Sequence, residues 1–283
     1  MDKNCNLFQG NQVDNVLEAY LLGFFYADVC VSKFESGAYR TFRITLSEKD
    51  QDYLQWIANV INEHLHTTYS LKYISSNKAY SLSVYKSDFV SRLVNLGITN
   101  NKTYENNAFV FNNIPTNLKY HFVRGYFDGD GSISFYKKKN RCHVGIVSLN
   151  HQLISAIQEY VYHIFKFGTI RMDKQYSRYQ ICGNVSTKKF LDWLYKDANY
   201  YMQRKYDKYL QIPPKQYRNI YKGIYKEKRS PNNIYNVSIY YDRKRHYIGM
   251  FHTVREAVKA YNVEAEKYGV EQQEYKGEEL YYE

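Results

Sequence analysis

An internal repeat narrows what this chain can become more than any other feature. Ala19-Tyr-Leu-Leu-Gly-Phe-Phe-Tyr-Ala-Asp28 is matched by His121-Phe-Val-Arg-Gly-Tyr-Phe-Asp-Gly-Asp130. Each copy holds a glycine (Gly23, Gly125), two aromatics, a small residue (Ala27, Gly129) and a closing aspartate, and the two aspartates lie 102 residues apart. The chain downstream of each copy repeats as well. Residues 39–46 alternate Phe42, Ile44 and Leu46 against Arg43 and Thr45, the pattern of a half-buried strand. Residues 50–65 carry Leu54, Ile57, Ile61 and Leu65 at helical spacing, 79–85 return to alternation, and 89–96 read as a short helix closed by Gly97. After the second copy, 132–137 and 143–147 read as strands, 153–165 as a helix, 177–181 as a strand and 190–195 as a helix. The expected order is αββαββα, twice: an α+β fold with pseudo-twofold halves at 14–112 and 113–212, their strands flanking the acids in a saddle.

Gly23 and Ala27, like Gly125 and Gly129, lie one helical turn apart on one face, where small side chains let two helix backbones approach closely. If the two repeat helices pack on each other, their C-terminal ends bring Asp28 and Asp130 together at the pseudo-twofold axis. Paired carboxylates repel unless something positive sits between them. Hard oxygen ligands suit Mg²⁺ (or Mn²⁺), which keeps some waters and binds substrate phosphate. The plainer reading is a helix-pairing face whose terminal acids are solvated. Two copies, each opening the same series of elements, outweigh it.

The repeat resembles the LAGLIDADG family of homing endonucleases in its single-chain, two-motif form. Val123-Arg-Gly-Tyr-Phe-Asp-Gly-Asp-Gly131 is the closer match; Leu21-Leu-Gly-Phe-Phe-Tyr-Ala-Asp-Val29 departs from the pattern with Tyr26 for the usual acid and Val29 for the closing glycine. The similarity covers residues 14–212 and implies a metal-dependent endonuclease that cuts both strands of a long, asymmetric double-stranded DNA site. By the same resemblance Asp28 and Asp130 are the metal ligands. Leu96-Gly-Ile-Thr-Asn-Asn-Lys-Thr103 and Tyr201-Met-Gln-Arg-Lys-Tyr206 are similar to the segments bearing the family's active-site lysines, which implies Lys102 and Lys205. A lysine there would polarise the attacking water or steady the charge on phosphorus in the transition state. Solvated surface lysines are the competing reading.

Strands flanking the acids would present outward side chains to a DNA major groove. From the first half the candidates are Ser32, Lys33, Arg40, Arg43, Thr45, Ser81, Ser83 and Tyr85; from the second they are Lys137, Lys139, Arg141, His143, Arg178 and Gln180. Arg suits guanine and Gln adenine, whereas Lys more often neutralises phosphate. A polar sheet face in water fits each of these residues equally well.

Beyond Pro213-Pro214 a second unit is expected at 215–270. Stretches 221–225, 235–241 and 246–251 read as short strands, with turns around 230–232 and at Asp242-Arg243. Thr253 and Glu256 form a capping box ahead of a helix lined by Ala257, Ala260, Tyr261, Ala265 and Tyr268. Gly223-Ile224 and Tyr247-Ile-Gly-Met-Phe-His-Thr-Val-Arg-Glu-Ala-Val-Lys-Ala-Tyr261 resemble the APETALA/ethylene-response-factor DNA-binding domain, whose sheet enters the major groove. That likeness implies DNA contacts from Arg229, Arg243, Lys244 and Arg245, against solvated turn charge as the alternative. Gly223-Ile-Tyr225 and Tyr247-Ile-Gly249 also spell a GIY-YIG nuclease signature, but they are separated by too much chain for that motif's hairpin. Residues 271–283 read as a frayed acidic tail.

The formal charge of +11 points to a polyanionic partner. It divides unevenly: net +8 over 1–214, +7 over 215–270 and −4 over 271–283. The longest apolar stretch, 19–27, is far short of the roughly 20 residues a membrane span needs. The N-terminus has no apolar run behind a positive region, and Cys5, Cys30, Cys142 and Cys182 form no C-x-x-C pair. A reduced, intracellular protein of the cytoplasm, a nucleoid or an organelle matrix is expected, not a secreted or membrane one. It would be a monomer, because both halves share one chain, and a free enzyme, because no Cys or Ser opens the chain and no His-Asn closes it. A non-cleaving binding protein on the same fold, an RNA maturase or DNA-binding regulator, is the rival reading. Of 50 aromatic residues 33 are tyrosine, an excess that codon bias explains as well as recognition does.

Overall fold

The computed structural model describes residues 7–10, 12–33, 36–37, 39–102, 104–136, 141–173, 175–212, 220–227 and 233–277. The chain divides into two units, Met1–Pro214 and Lys215–Glu283, each with its own hydrophobic core. Lys137, Lys139 and Arg229, the expected turn at 230–232 and the side chain of Arg40 lie outside the described residues.

The first unit begins with α1 (Val16–Asp28), β1 (Val29–Lys33), β2 (Tyr39–Ser47), α2 (Gln51–Leu65), β3 (Lys72–Ile74), β4 (Ala79–Val84) and α3 (Ser87–Asn95). After the single turn α4 (Phe109–Asn112) the series recurs as α5 (Lys119–Asp130), β5 (Gly131–Tyr136), β6 (Arg141–Ser148), α6 (His151–Phe165), β7 (Thr169–Met172), β8 (Ser177–Cys182) and α7 (Asn184–Tyr195). A last helix, α8 (Gln203–Leu210), follows α7. The two sheets have matching antiparallel topologies, β1-β2-β4-β3 and β5-β6-β8-β7. The strand alternation holds: Phe42, Ile44 and Leu46 are buried while Arg43 and Thr45 are exposed.

α1 starts at Asn15, whose side chain accepts from the Glu18 amide at 2.9 Å. Glu18 through Tyr26 are all buried, as are His121 through Asp128 of α5, so both helices run through the core, and α5 carries His121, Arg124 and Asp128 into it. The reason is the glycine pair. A Cβ on Gly23 would lie 2.1 Å from the Phe122 carbonyl oxygen, and one on Gly125 would lie 1.9 Å from that of Tyr20. No side chain fits, so the two backbones touch. The closeness persists to the helix ends, where a Cβ on Gly129 would stand 2.3 Å from Ala27 Cβ and 2.8 Å from Asp28 Oδ2.

In the second unit β9 (Ile224–Lys226), β10 (Tyr235–Tyr241) and β11 (Lys244–Phe251) form a three-stranded antiparallel sheet in the order β11-β10-β9. Asp242 and Arg243, with φ of 46° and 58°, turn the β10–β11 hairpin, and two positive φ angles match the right-handed strand twist. α9 (Val254–Lys267) opens with the expected Thr253–Glu256 capping box. It packs Val254, Ala257, Val258, Tyr261 and Ala265 against Ile224, Val237 and Ile239. Tyr268 remains exposed and stacks on Tyr241, ring centroids 3.8 Å apart. The Gly223-Ile-Tyr225 and Tyr247-Ile-Gly249 segments belong to β9 and β11, on opposite sides of β10, so they share no hairpin.

The tail expectation needs correction over 271–277. Tyr221 OH donates to Gly277 O and accepts from the Lys276 amide, both at 2.7 Å. Asn262 exchanges two 2.7 Å hydrogen bonds with the Gln273 backbone, and Arg255 stacks on Tyr275 at 4.8 Å. Side chains far upstream in the unit thus tie this segment down, which its acidic composition concealed. No described helix is long and apolar enough to cross a membrane.

Candidate active site and nucleic-acid interface

Both repeat helices pass directly into strands. Val29 (φ −86°, ψ 139°) and Gly131 (φ −74°, ψ 155°) are extended, so Asp28 and Asp130 are the last helical residues at the junction of helix pair and sheets. Neither helix has a basic residue in its last turn. Lysines from elsewhere meet the carbonyls instead: Lys102 Nζ donates to Val29 O at 2.5 Å, and Lys205 Nζ donates to Phe127 O at 2.6 Å and Gly129 O at 2.9 Å. Cations at a helix C-terminus oppose its negative dipole end. Both lysines are buried, 6% and 4% exposed, which rules out the solvated-lysine alternative for each.

The charges are strongly interdependent. Burial, with the Asp130 charge added, pushes the Asp28 carboxyl up to about 7, against the pull of Lys205 and Lys102. Burial also raises Asp130, opposed by Lys205 and by a hydrogen bond from Tyr126. It lowers Lys205 to about 8 and lowers Lys102 as well, in both cases against attraction to the aspartates. Asp28 is half-buried, and Asp130, though surrounded closely enough for its carboxyl to be raised, keeps an exposed edge, so solvent reaches both residues. Among the described residues neither is in an ion pair, and no cluster of three or more His, Cys, Asp or Glu that could hold a metal gathers anywhere, this site included. Two carboxylates at touching helix ends, neither in an ion pair, form a hard-oxygen donor set suited to a divalent cation.

The sixth motif position has a different task. Asp128 is fully buried and accepts from Tyr20 OH (2.7 Å), Tyr195 OH (2.5 Å) and the Met202 amide (2.9 Å). In the first copy Tyr26 OH donates to Lys102 O at 3.2 Å and accepts from Asn150 Nδ2 at 2.9 Å. The acid that the first motif lacks is therefore a buried structural group in the second. Its replacement by Tyr26 removes nothing from the aspartate pair.

Of the outward candidates, Arg43 and Ser83 are cross-strand partners joined by a 3.2 Å hydrogen bond, Ser32 and Tyr85 are exposed, and Lys33 caps the Tyr39 ring. Ser81 is a correction. It is buried between Thr45 and Lys72, receives a 3.1 Å hydrogen bond from Thr45 and donates its own to Ile44 O at 3.2 Å. In the second half Arg141, His143, Arg178 and Gln180 line one open hollow. Sequence reasoning missed Tyr136 and Arg171 in the same hollow. Tyr136 stacks on His143 at 5.0 Å and Arg171 pairs with Arg178; the alternation through Ser132 and Ser134 could have pointed to Tyr136, whereas β7 is too short to show a pattern.

In the C-terminal unit Arg243 and Lys244 are exposed at the hairpin. Arg245 donates to Ser238 Oγ at 2.8 Å and lies 5.3 Å from the Tyr225 ring. Exposed Tyr225, Tyr240 and Tyr247 share this sheet, a group the composition alone could not place.

A tandem αββαββα repeat, with central helices crossing at glycines and ending in paired aspartates, defines the class: a mixed α+β protein built on antiparallel sheets around a two-helix axis. Its second copy is recognised directly, because residues 117–194 match the family model for the LAGLIDADG-like domain. The chain is similar to the solved structure of I-DmoI in complex with DNA and Mn (16% identity, TM-score 0.48, 65% of this chain and 99% of that chain). It is similar also to the I-LtrWI LAGLIDADG homing endonuclease bound to target DNA (13%, 0.44, 70% and 89%) and to the meganuclease I-AabMI bound to uncleaved DNA (14%, 0.47, 69% and 88%). No curated protein matches the chain.

Proposed function

We propose that the chain is a site-specific, divalent-metal-dependent DNA endonuclease that hydrolyses both strands of a long asymmetric site as a monomer. The observation that carries this reading is the Asp28–Asp130 pair at touching helix ends, flanked by the two buried lysines. Asp28 and Asp130 would hold the metal, Mg²⁺ or Mn²⁺, which when bound activates water and stabilises the leaving 3′ oxygen. Lys102 and Lys205 sit against the helix-end carbonyls, where their charge would offset the growing negative charge on the scissile phosphate. The outer faces of the two sheets would read the major groove, with Arg43, Arg141, Arg178 and Gln180 as base-contacting side chains and Lys33 on the backbone. Arg243, Lys244 and Arg245, on an APETALA-like unit of net +7 over 215–270, would add a second DNA contact.

Val29, where the first motif departs from the closing glycine, leaves room for one rival, a binding protein that keeps the fold without cleavage. Selection of cleaved sites from a random duplex library with Mg²⁺, for wild type and Asp130→Asn, separates the two. Site-specific products from wild type alone support the endonuclease. Binding without nicking by wild type refutes it, and normal cutting by Asp130→Asn refutes the site.

A further inference from the structure

The segment that carries each lysine is fastened by the opposite half of the repeat. Lys102 lies in the connection leading to α4. Asn150, fully buried at the β6–α6 corner of the second half, donates Nδ2 to Tyr26 OH at 2.9 Å and to Asn107 O at 2.7 Å. Tyr26 OH then donates to Lys102 O at 3.2 Å, and the Gln152 amide reaches Asn106 Oδ1 at 3.0 Å. Lys205 lies at the start of α8. Asp50 of the first half takes two hydrogen bonds from the neighbouring Arg204, 3.0 and 3.2 Å. Tyr20 of the first half secures Asp128, which holds the Met202 amide three residues before Lys205.

We infer that Asn150 with Tyr26, and Asp50 with Arg204, are positioning residues that set Lys102 and Lys205 respectively, each across the junction between halves. This deepens the endonuclease reading and rests on it for its catalytic consequence. The two fastenings share no residue, so loosening one should disturb one lysine only. Misplacing a charged group by about 1 Å can cost on the order of a hundredfold in rate. Because the halves are pseudo-symmetric about the aspartates, one lysine would serve each strand of a bound duplex, and loss of one fastening should leave a nicked duplex.

Asn150→Asp keeps the oxygen that caps α6 through the Leu153 amide at 3.0 Å; ionised it removes both donors, and protonated it keeps one, so either form breaks at least one of the two links. Tyr26→Phe removes the same link from the other side, and Asp50→Asn weakens the reciprocal one. Amine labelling of the whole chain, read by mass spectrometry, measures lysine placement without reference to activity. Asn150→Asp and Tyr26→Phe should speed labelling of Lys102 severalfold and leave Lys205 unchanged; Asp50→Asn should do the opposite. Equal or unchanged labelling of both lysines in all three variants overturns the assignment.

With strand-specific end labels on a selected site, Asn150→Asp should slow one strand at saturating enzyme by about tenfold or more, with duplex affinity within about twofold. Asp50→Asn should slow the other strand. Equal slowing of both strands, or lost binding in proportion, overturns the catalytic consequence. A wild-type chain that never nicks DNA refutes the endonuclease reading instead, while the labelling result still decides the positioning.

Discussion

Gly125→Ala sets two physical effects against each other with opposite signs. Helix propensity favours the substitution, since Ala is better than Gly in a helix interior by about 1 kcal/mol. Packing opposes it. The added Cβ would fall 1.9 Å from the Tyr20 carbonyl oxygen and 2.9 Å from both Tyr20 C and Phe24 N, all backbone atoms. Relief cannot come from a rotamer change, so the whole of α1 must move away from α5 by roughly 1 Å, on the order of a full overpacking penalty of 1–3 kcal/mol or beyond. The upper end of that range, less the propensity gain, leaves a net loss of about 2 kcal/mol. For a unit of this size this lowers Tm by roughly 4–8 °C. Gly23→Ala meets the same crossing, 2.1 Å from the Phe122 carbonyl oxygen. One helix displacement relieves both clashes, so the double variant should cost less than the two single losses combined. Thermal unfolding followed by circular dichroism at fixed pH is sufficient. A Gly125→Ala protein as stable as wild type, or more so, would show that the backbones do not touch and that the paired-aspartate geometry is wrong.

Three further outcomes are expected. The Asp28 carboxyl is raised to about 7 by burial and by Asp130, above its unfolded value near 3.9; the stability this contributes is full below about pH 4 and lost as pH rises through 7. Metal-free protein should therefore lose Tm between about pH 5 and 7.5, and Mg²⁺ should restore more of it at the upper end of that window than at the lower. Equal Mg²⁺ stabilisation at both ends would argue against a carboxylate that must shed its proton. Removing 215–283 should weaken duplex binding and flatten its salt dependence; an unchanged slope would leave that unit without a DNA role. Tyr221→Phe removes one hydroxyl that serves both Lys276 and Gly277 and should cost about 1–2 kcal/mol, with faster hydrogen exchange at the Lys276 amide as the local readout; unchanged exchange would refute the fastening of 271–277.

What could be read from the sequence was whatever repeats or alternates locally. Gly23 and Gly125 announce a close helix crossing because only a missing Cβ permits one. Phe42, Ile44 and Leu46 reveal which face of β2 is wet. The fastening of Asp128 by Tyr20, the link from Asn150 to Tyr26 and the Arg204–Asp50 pair join residues 108, 124 and 154 positions apart. No periodicity relates such positions, so nothing in the sequence pointed to them. Ser81 failed for a subtler reason: alternation sets the face of a strand, but neighbours on the flanking strands decide whether that face is covered at a given position.

The mismatch between the two copies has a consequence for how this molecule can be taken apart. Tyr20, whose hydroxyl satisfies Asp128, corresponds in the second copy to Phe122, which has none. A homodimer assembled from two second halves would bury each Asp128 with only the Tyr195 hydroxyl and the Met202 amide as donors, a loss of one hydrogen bond worth about 1 kcal/mol apiece. The halves complement each other at this point: the donor sits in one and the acceptor in the other. Shuffling them with other halves, to build new combinations, must carry Tyr20 and Asp128 together.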